Sequence, residues 1–118
     1  MCGIFLYFGD KMINSIYSGY SNIVHRGPDN SSIQLLEIPG LSNNLVIGFH
    51  RLKINDVSNA GNQPFSPSEF HGTHLICNGE IYNFKELKKT FKLKTVSNSD
   101  CEVIPYLYHE CGIMTTLS

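Results

Sequence analysis

Apolar positions along the chain change period several times, and the changes outline the elements. Residues 3–8 (Gly-Ile-Phe-Leu-Tyr-Phe) form a continuous apolar run stopped by Gly9-Asp10. A short run of this kind, closed by a turn pair, predicts a strand buried on both faces. Met12, Ile16, Tyr20 and Ile23 then recur at helical spacing, with Ile13, Tyr17 and Val24 beside them. They predict an amphipathic helix that ends before the turn-forming Gly27-Pro28-Asp29. Strands are expected over residues 32–37 and 45–50, separated by a turn at 39–44. Val46, Ile47 and Phe49 give the second its β character. Residues 52–68 are rich in Asn, Ser, Gly and Pro and predict one long loop. Loops of that length in compact domains are usually functional or mobile.

Residues 73–78 predict a further strand running into Gly79. Phe84, Leu87 and Phe91 space a helix over 84–92, with lysines on its other side. Ser99-Asp100-Cys101-Glu102 matches the S-x-x-E capping box at a helix start. The last helix would present Val103, Leu107 and Cys111 as its apolar stripe, next to Ile104 and Tyr108, with Gly112 as C-cap. Pro105 falls inside it, so the helix either starts near Ile104 or bends. Strands alternating with helices predict a mixed, layered α/β structure.

Composition narrows this picture without redirecting it. A chain of 118 residues accommodates one domain at most. The net charge of −1 comes with no basic stripe of the kind that binds nucleic acid. No apolar run is long enough to span a bilayer, and the first residues lack the pattern of a secretory signal, so a cytoplasmic location is expected. Cys2, Cys77, Cys101 and Cys111 are scattered, with no CxxC pair. In a cytosolic setting they are expected to be free thiols. His71 and His74 form an HxxH pair with no further ligand at metal spacing, and no metal site is expected.

The chemistry starts at the second residue. Removal of Met1 would leave Cys2 carrying both a thiol and a free α-amine. An α-amine titrates just above neutral pH, so part of it can serve as base to its own thiol, directly or through a water. Arg51 follows a strand, and its planar fork suits a carboxylate. Asn78-Gly79 is a strong turn signal by itself, and a glycine there also lets backbone approach a ligand. Asp100 has two readings from its position, as an acid in a first helical turn or as a partner for a cation.

Five segments occur in order: Met1-Cys2-Gly3-Ile4, His25-Arg26-Gly27-Pro28-Asp29, Phe49-His50-Arg51-Leu52, Asn78-Gly79-Glu80-Ile81-Tyr82-Asn83, and Ser99-Asp100-Cys101-Glu102. With them the chain resembles the class II glutamine amidotransferase domain, an N-terminal-nucleophile hydrolase. Within that group it looks most like the glutaminase domain of glutamine-hydrolysing asparagine synthetases. The resemblance runs from Cys2 to about Gly112.

It implies an α+β fold, the αββα sandwich of N-terminal-nucleophile hydrolases. It also implies hydrolysis of glutamine to glutamate and ammonia through a thioester on Cys2. Asn78 and the Gly79 N–H would hold the oxyanion. Arg51 would hold the α-carboxylate, and Asp100, with Glu80, the α-ammonium. The backbone of Leu52, Lys53, Ile54 and Asn55 would line the glutamine pocket. The His25–Asp29 segment would hold a loop in shape over the site. His25 or His50 as base to the thiol ranks below the α-amine, because either would leave the placement of Cys at position 2 without a reason.

Measured against that family, the chain is expected to be truncated. The strands that complete the sandwich and the synthetase domain that uses ATP and Mg are not in the sequence, so no cofactor is expected for this chain. Three readings stay open. It is a fragment of a synthetase, a stand-alone domain that pairs with a synthetase subunit or a second copy, or a non-catalytic module that binds glutamine or docks a partner.

Overall fold

The run richest in β-formers takes the centre of the only extended sheet found among the described residues. The computed structural model describes residues 1–10, 13–40 and 42–118, with Ile13 and Asn44 described by their backbone alone. It divides into two compact units, Met1–Lys53 and Ile54–Ser118. Together they make a small α+β structure.

In the first unit, β1 (Gly3–Gly9), β2 (Asn30–Leu36) and β3 (Asn44–Arg51) form a three-stranded antiparallel sheet of order β1-β3-β2. The register places Phe5 beside Gly48 and Gly48 beside Ile33. Side chains alternate along strands, so Phe5, Tyr7, Val46, His50, Ile33 and Leu35 share one face. Helix α1 (Ile13–Ser21) packs there through Ile16 and Tyr20, both buried. Tyr20 meets Phe5 edge-on at 5.9 Å between ring centroids and stacks on His50 at 4.1 Å. Burying a side chain such as Ile16 stabilises the unit by about 1.5–3 kcal/mol.

The expectation that residues 3–8 are buried on both faces is corrected. Ile4, Leu6 and Phe8 point to the opposite face and are exposed. β1 is an edge strand, and α1 covers the other side of the sheet. The first helix is also shorter than its apolar stripe. It stops at Ser21, and the chain passes into a 3₁₀ turn at Val24–Arg26 before the Gly27-Pro28-Asp29 turn. Met12 of the expected stripe lies outside the described residues.

The second unit is built from loops around two helices, α2 (Phe84–Thr90) and α3 (Val103–Thr116). The strand expected over 73–78 does not form. An isolated bridge joins Phe65 and Leu75, with both N–H···O bonds at 2.9 Å. Beyond it a side chain replaces the neighbouring strand. Gln63 accepts the Cys77 N–H at 2.6 Å and donates to the Cys77 carbonyl at 3.2 Å. A buried amide thereby satisfies both backbone groups of Cys77, as a ladder partner would.

The capping box is corrected too. No side chain caps α3. The Glu102 carboxylate turns back instead to the preceding loop, accepting the N–H groups of Val96 (2.9 Å) and Ser97 (2.7 Å) and the Ser97 hydroxyl. Pro105 sits in the first turn of α3, where its missing N–H would have had no intrahelical partner, so the helix runs through it without a break. The regular helix ends at Gly112, whose φ of 77° a glycine adopts at little cost. The buried face of α3 is Val103, Pro105, Tyr106 and Leu107. Tyr108, expected beside that stripe, is exposed.

Candidate functional site

The sequence-derived site residues fall into two groups, one in each unit. In Met1–Lys53, the chain leaves β3 at Arg51 and passes directly under the Cys2 sulfur. The Leu52 N–H donates to Cys2 Sγ at 3.4 Å, and the thiol faces the Leu52 carbonyl at 3.7 Å. Arg26 Nε donates to the Cys2 carbonyl at 3.3 Å and fixes the residue from its backbone side. Cys2 is half-buried, and Arg51 is buried at the end of β3.

The turn at residues 27–29 holds the same stretch. The Asp29 N–H donates to the Arg51 carbonyl at 3.0 Å, and Asp29 Oδ2 accepts the Lys53 N–H at 2.8 Å. Gly27 lies so close to the end of β3 that a Cβ there would stand 2.1 Å from the His50 carbonyl oxygen. The predicted loop-holding role of this segment therefore has a concrete form: it pins Arg51, Leu52 and Lys53 in place.

His50 is spent structurally. Its Nε2 lies 2.9 Å from the Tyr20 carbonyl, which can only accept, so Nε2 carries the proton. Nδ1 then accepts from the Ser31 hydroxyl at 2.7 Å. Neither nitrogen is left to act as a base on a thiol. His25 is exposed in the 3₁₀ turn.

In Ile54–Ser118, Asp100 is the hub. It is buried, with Oδ1 accepting from Asn55 Nδ2 at 3.0 Å and Oδ2 accepting the Ile81 N–H at 2.7 Å. One carboxylate thus ties the segment with Ile54 and Asn55 to the segment with Asn78, Gly79 and Glu80. Those five residues are themselves exposed. Cys101, next to Asp100, points its thiol at Cys77 Sγ (3.1 Å) and at the Gly79 carbonyl (3.6 Å).

Sequence reasoning passed over two buried polar residues that shape this group. One is Gln63, already met at Cys77. The other is Asp56, which accepts the Ser58 N–H and the Asn98 N–H, both at 2.7 Å. Asp56-x-Ser58 carries a local signal, since an Asp bonding the N–H two residues on is an Asx-turn. Gln63 carries none, because its partner is distant in sequence. Among the described residues no group of three or more His, Cys, Asp or Glu side chains is placed to hold a metal ion. His74 of the HxxH pair lies instead 2.8 Å from the Ser66 hydroxyl. No helix among the described residues is long and apolar enough to cross a membrane.

A family model for the glutamine amidotransferase domain matches residues 1–118. The chain belongs to the glutamine amidotransferase domain family. Among its relatives, a probable glutamine-hydrolysing asparagine synthetase of Acanthamoeba polyphaga mimivirus is 38% identical over 122 residues, covering 100% of this chain and 22% of the relative. The glutamine-hydrolysing asparagine synthetase of Gallus gallus is 39% identical over 119 residues, again with all of this chain and 20% of the relative. The Homo sapiens protein of that name is 35% identical over 118 residues, with 99% of this chain and 20% of the relative. This glutamine amidotransferase domain therefore spans about one fifth of the length of the synthetases it matches.

Proposed function

We propose that the chain is the glutaminase part of an asparagine-synthetase-like protein, releasing ammonia from glutamine for a synthetase partner. The observation that carries this reading is the Cys2 sulfur resting on the Leu52 N–H, at the exit of a strand that ends in a buried arginine. A thiol held by a backbone donor beside an arginine suits an amino-acid substrate with a reactive side-chain amide.

In this reading Cys2 Sγ attacks the amide carbon, and the α-amine freed by Met1 removal takes the thiol proton. The tetrahedral intermediate collapses with that proton passing to the departing nitrogen, which leaves as ammonia. The γ-glutamyl thioester is then cleaved by water to glutamate and free Cys2. Asn78 and the Gly79 N–H serve the oxyanion, and preorganised donors of this type are worth about 10²–10³ in rate each. Arg51 takes the α-carboxylate, Asp100 and Glu80 take the α-ammonium, and the main chain of Leu52, Lys53, Ile54 and Asn55 lines the substrate. The exposed apolar face of Ile4, Leu6 and Phe8 supports the αββα sandwich, in which a second sheet would cover it. No cofactor is assigned to this chain; ATP and Mg would serve the synthetase partner. The location is the cytoplasm, where thiols stay reduced.

The test is affinity labelling with the glutamine analogue 6-diazo-5-oxo-norleucine after intact-mass analysis has shown Met1 removed. The expected result is a single adduct on Cys2, sparing Cys77, Cys101 and Cys111 and suppressed by excess glutamine. Retained Met1, or labelling spread over all four thiols, overturns the enzymatic reading. The same exposed apolar face favours one alternative, a docking module without turnover. That alternative gains if Cys2→Ala leaves the biological effect intact.

A further inference from the structure

Cys77 and Cys101 come from segments far apart in sequence, yet their sulfurs lie 3.1 Å apart, and both are free thiols. A disulfide bond is about 2.05 Å long, so closure needs a movement of only about 1 Å. The two sulfurs differ in access and state. Cys77 is half-buried, while Cys101 is buried. The Cys101 S–H donates to Cys77, and that hydrogen bond lowers the Cys77 pKa; burial works against it. Cys101 is pushed far up, first by the same hydrogen bond, then by burial and by the charge on Cys77.

We propose that Cys77 and Cys101 form a redox-active dithiol, with the more accessible Cys77 attacking a low-molecular-weight disulfide such as oxidised glutathione and Cys101 resolving the product into an internal disulfide. In the first step Cys77 sulfur bonds to one glutathione sulfur, and the other glutathione leaves as thiolate. With Cys77 capped, its hydrogen bond and charge no longer hold the Cys101 proton. Cys101 then loses that proton, attacks the Cys77 sulfur, and expels the second glutathione. Two protein thiols become one disulfide, and one oxidised glutathione becomes two reduced ones, which take up the two protons.

The pair is placed to matter. Cys77 immediately precedes Asn78-Gly79, and Cys101 immediately follows Asp100. Closing the bond removes the Cys101 hydrogen bond to the Gly79 carbonyl. That consequence for glutamine hydrolysis rests on the function proposed above; formation of the disulfide does not.

The experiment incubates the full chain in glutathione buffers of rising oxidised fraction, blocks remaining thiols, and maps the cysteines by mass spectrometry. The expected product has lost two hydrogens, links Cys77 to Cys101, and leaves Cys2 and Cys111 unlinked. Cys101→Ser should stop at one glutathione adduct on Cys77, and Cys77→Ser should leave Cys101 unmodified. The proposal is overturned if Cys77 and Cys101 stay blockable while Cys2 or Cys111 oxidises, or if Cys101→Ser gives no Cys77 adduct. A mapped disulfide with no change in ammonia release would refute the link to glutamine hydrolysis and leave the dithiol standing.

Discussion

Replacing Gly27 by alanine tests whether the turn at residues 27–29 truly pins the stretch under Cys2. The φ of Gly27 is −153°, extended backbone that any residue adopts, so the substitution probes space alone. The new Cβ would stand 2.1 Å from the His50 carbonyl oxygen and 2.6 Å from the Arg51 carbonyl carbon. Both are backbone atoms of the central strand and cannot rotate away. To reach van der Waals contact the turn must retreat by about 1 Å. Overpacking of this kind costs about 1–3 kcal/mol. The retreat also stretches the Asp29 N–H bond to Arg51 and the Asp29 carboxylate bond to the Lys53 N–H. Each contributes about 1 kcal/mol. The expected loss is therefore about 3 kcal/mol, read as a lower urea midpoint by circular dichroism. Amide exchange should report the location, with the Leu52 and Lys53 N–H groups losing protection before the centre of β3. A loss below about 0.5 kcal/mol, within the range of ordinary surface changes, with Leu52 protection unchanged, would refute the pinning role.

Other outcomes follow from the same geometry. Cys2→Ala should lower ammonia release by at least about 10³-fold in a coupled assay while leaving the urea midpoint nearly unchanged; retained turnover would remove Cys2 from the mechanism. Asp100→Asn places an amide N–H₂ against one of two donors, Asn55 Nδ2 or the Ile81 N–H. It should cost about 1–3 kcal/mol of stability and weaken glutamine binding measured by calorimetry. The Tyr106 phenol is pushed up to about 12, chiefly by burial and then by the nearby Glu69 charge. The fold thus favours its protonated form, so this contribution is intact below pH 10 and is lost as pH rises toward about 12. Denaturation at stepped alkaline pH should show that fall, on the order of 2 kcal/mol, and Tyr106→Phe should flatten it. Gly112→Ala forces a side chain into φ 77°, ψ 168°, a region almost reserved for glycine, and should cost about 1–3 kcal/mol by thermal melt.

What could be read from sequence depended on whether the partner of a segment was local or repeated. The apolar runs at residues 3–8 and 45–50 announced β1 and β3 because a continuous run of β-forming apolar residues marks a strand, even though Ile4, Leu6 and Phe8 lie exposed. The α1 stripe gave Ile16 and Tyr20 by its helical spacing. Residues 73–78 look the same on paper, and there the reading failed. Whether an apolar run becomes a strand depends on a neighbour with a free edge, and here the Gln63 side chain occupies that place at Cys77. Ser99-x-x-Glu102 failed differently. A capping box assumes that the Glu bonds backward within its own turn, whereas Glu102 accepts from Val96 and Ser97 and the Ser99 N–H goes to the Ser97 hydroxyl.

These two failures share a cause, and it bears on how the site is held. The buried polar residues Asp56, Gln63, Ser97, Asp100 and Glu102 accept or donate at loop backbone. A helix or strand satisfies its own main chain; the long loops on either side of Asn78 and Asp100 cannot, and each buried carboxylate or amide does it for them. Side chains in such roles tolerate little change, because a lost partner strands a buried N–H at about 1–3 kcal/mol. Substitutions at Asp56 or Glu102 should therefore disturb Asn78, Gly79 and Asp100 nearly as much as changes at those residues themselves. The exposed carboxylate of Glu80 should tolerate replacement with little loss of fold. The precision of a loop-built site resides in these buried ties; the motifs mark Asp100 and Glu102 among them but leave out Asp56 and Gln63.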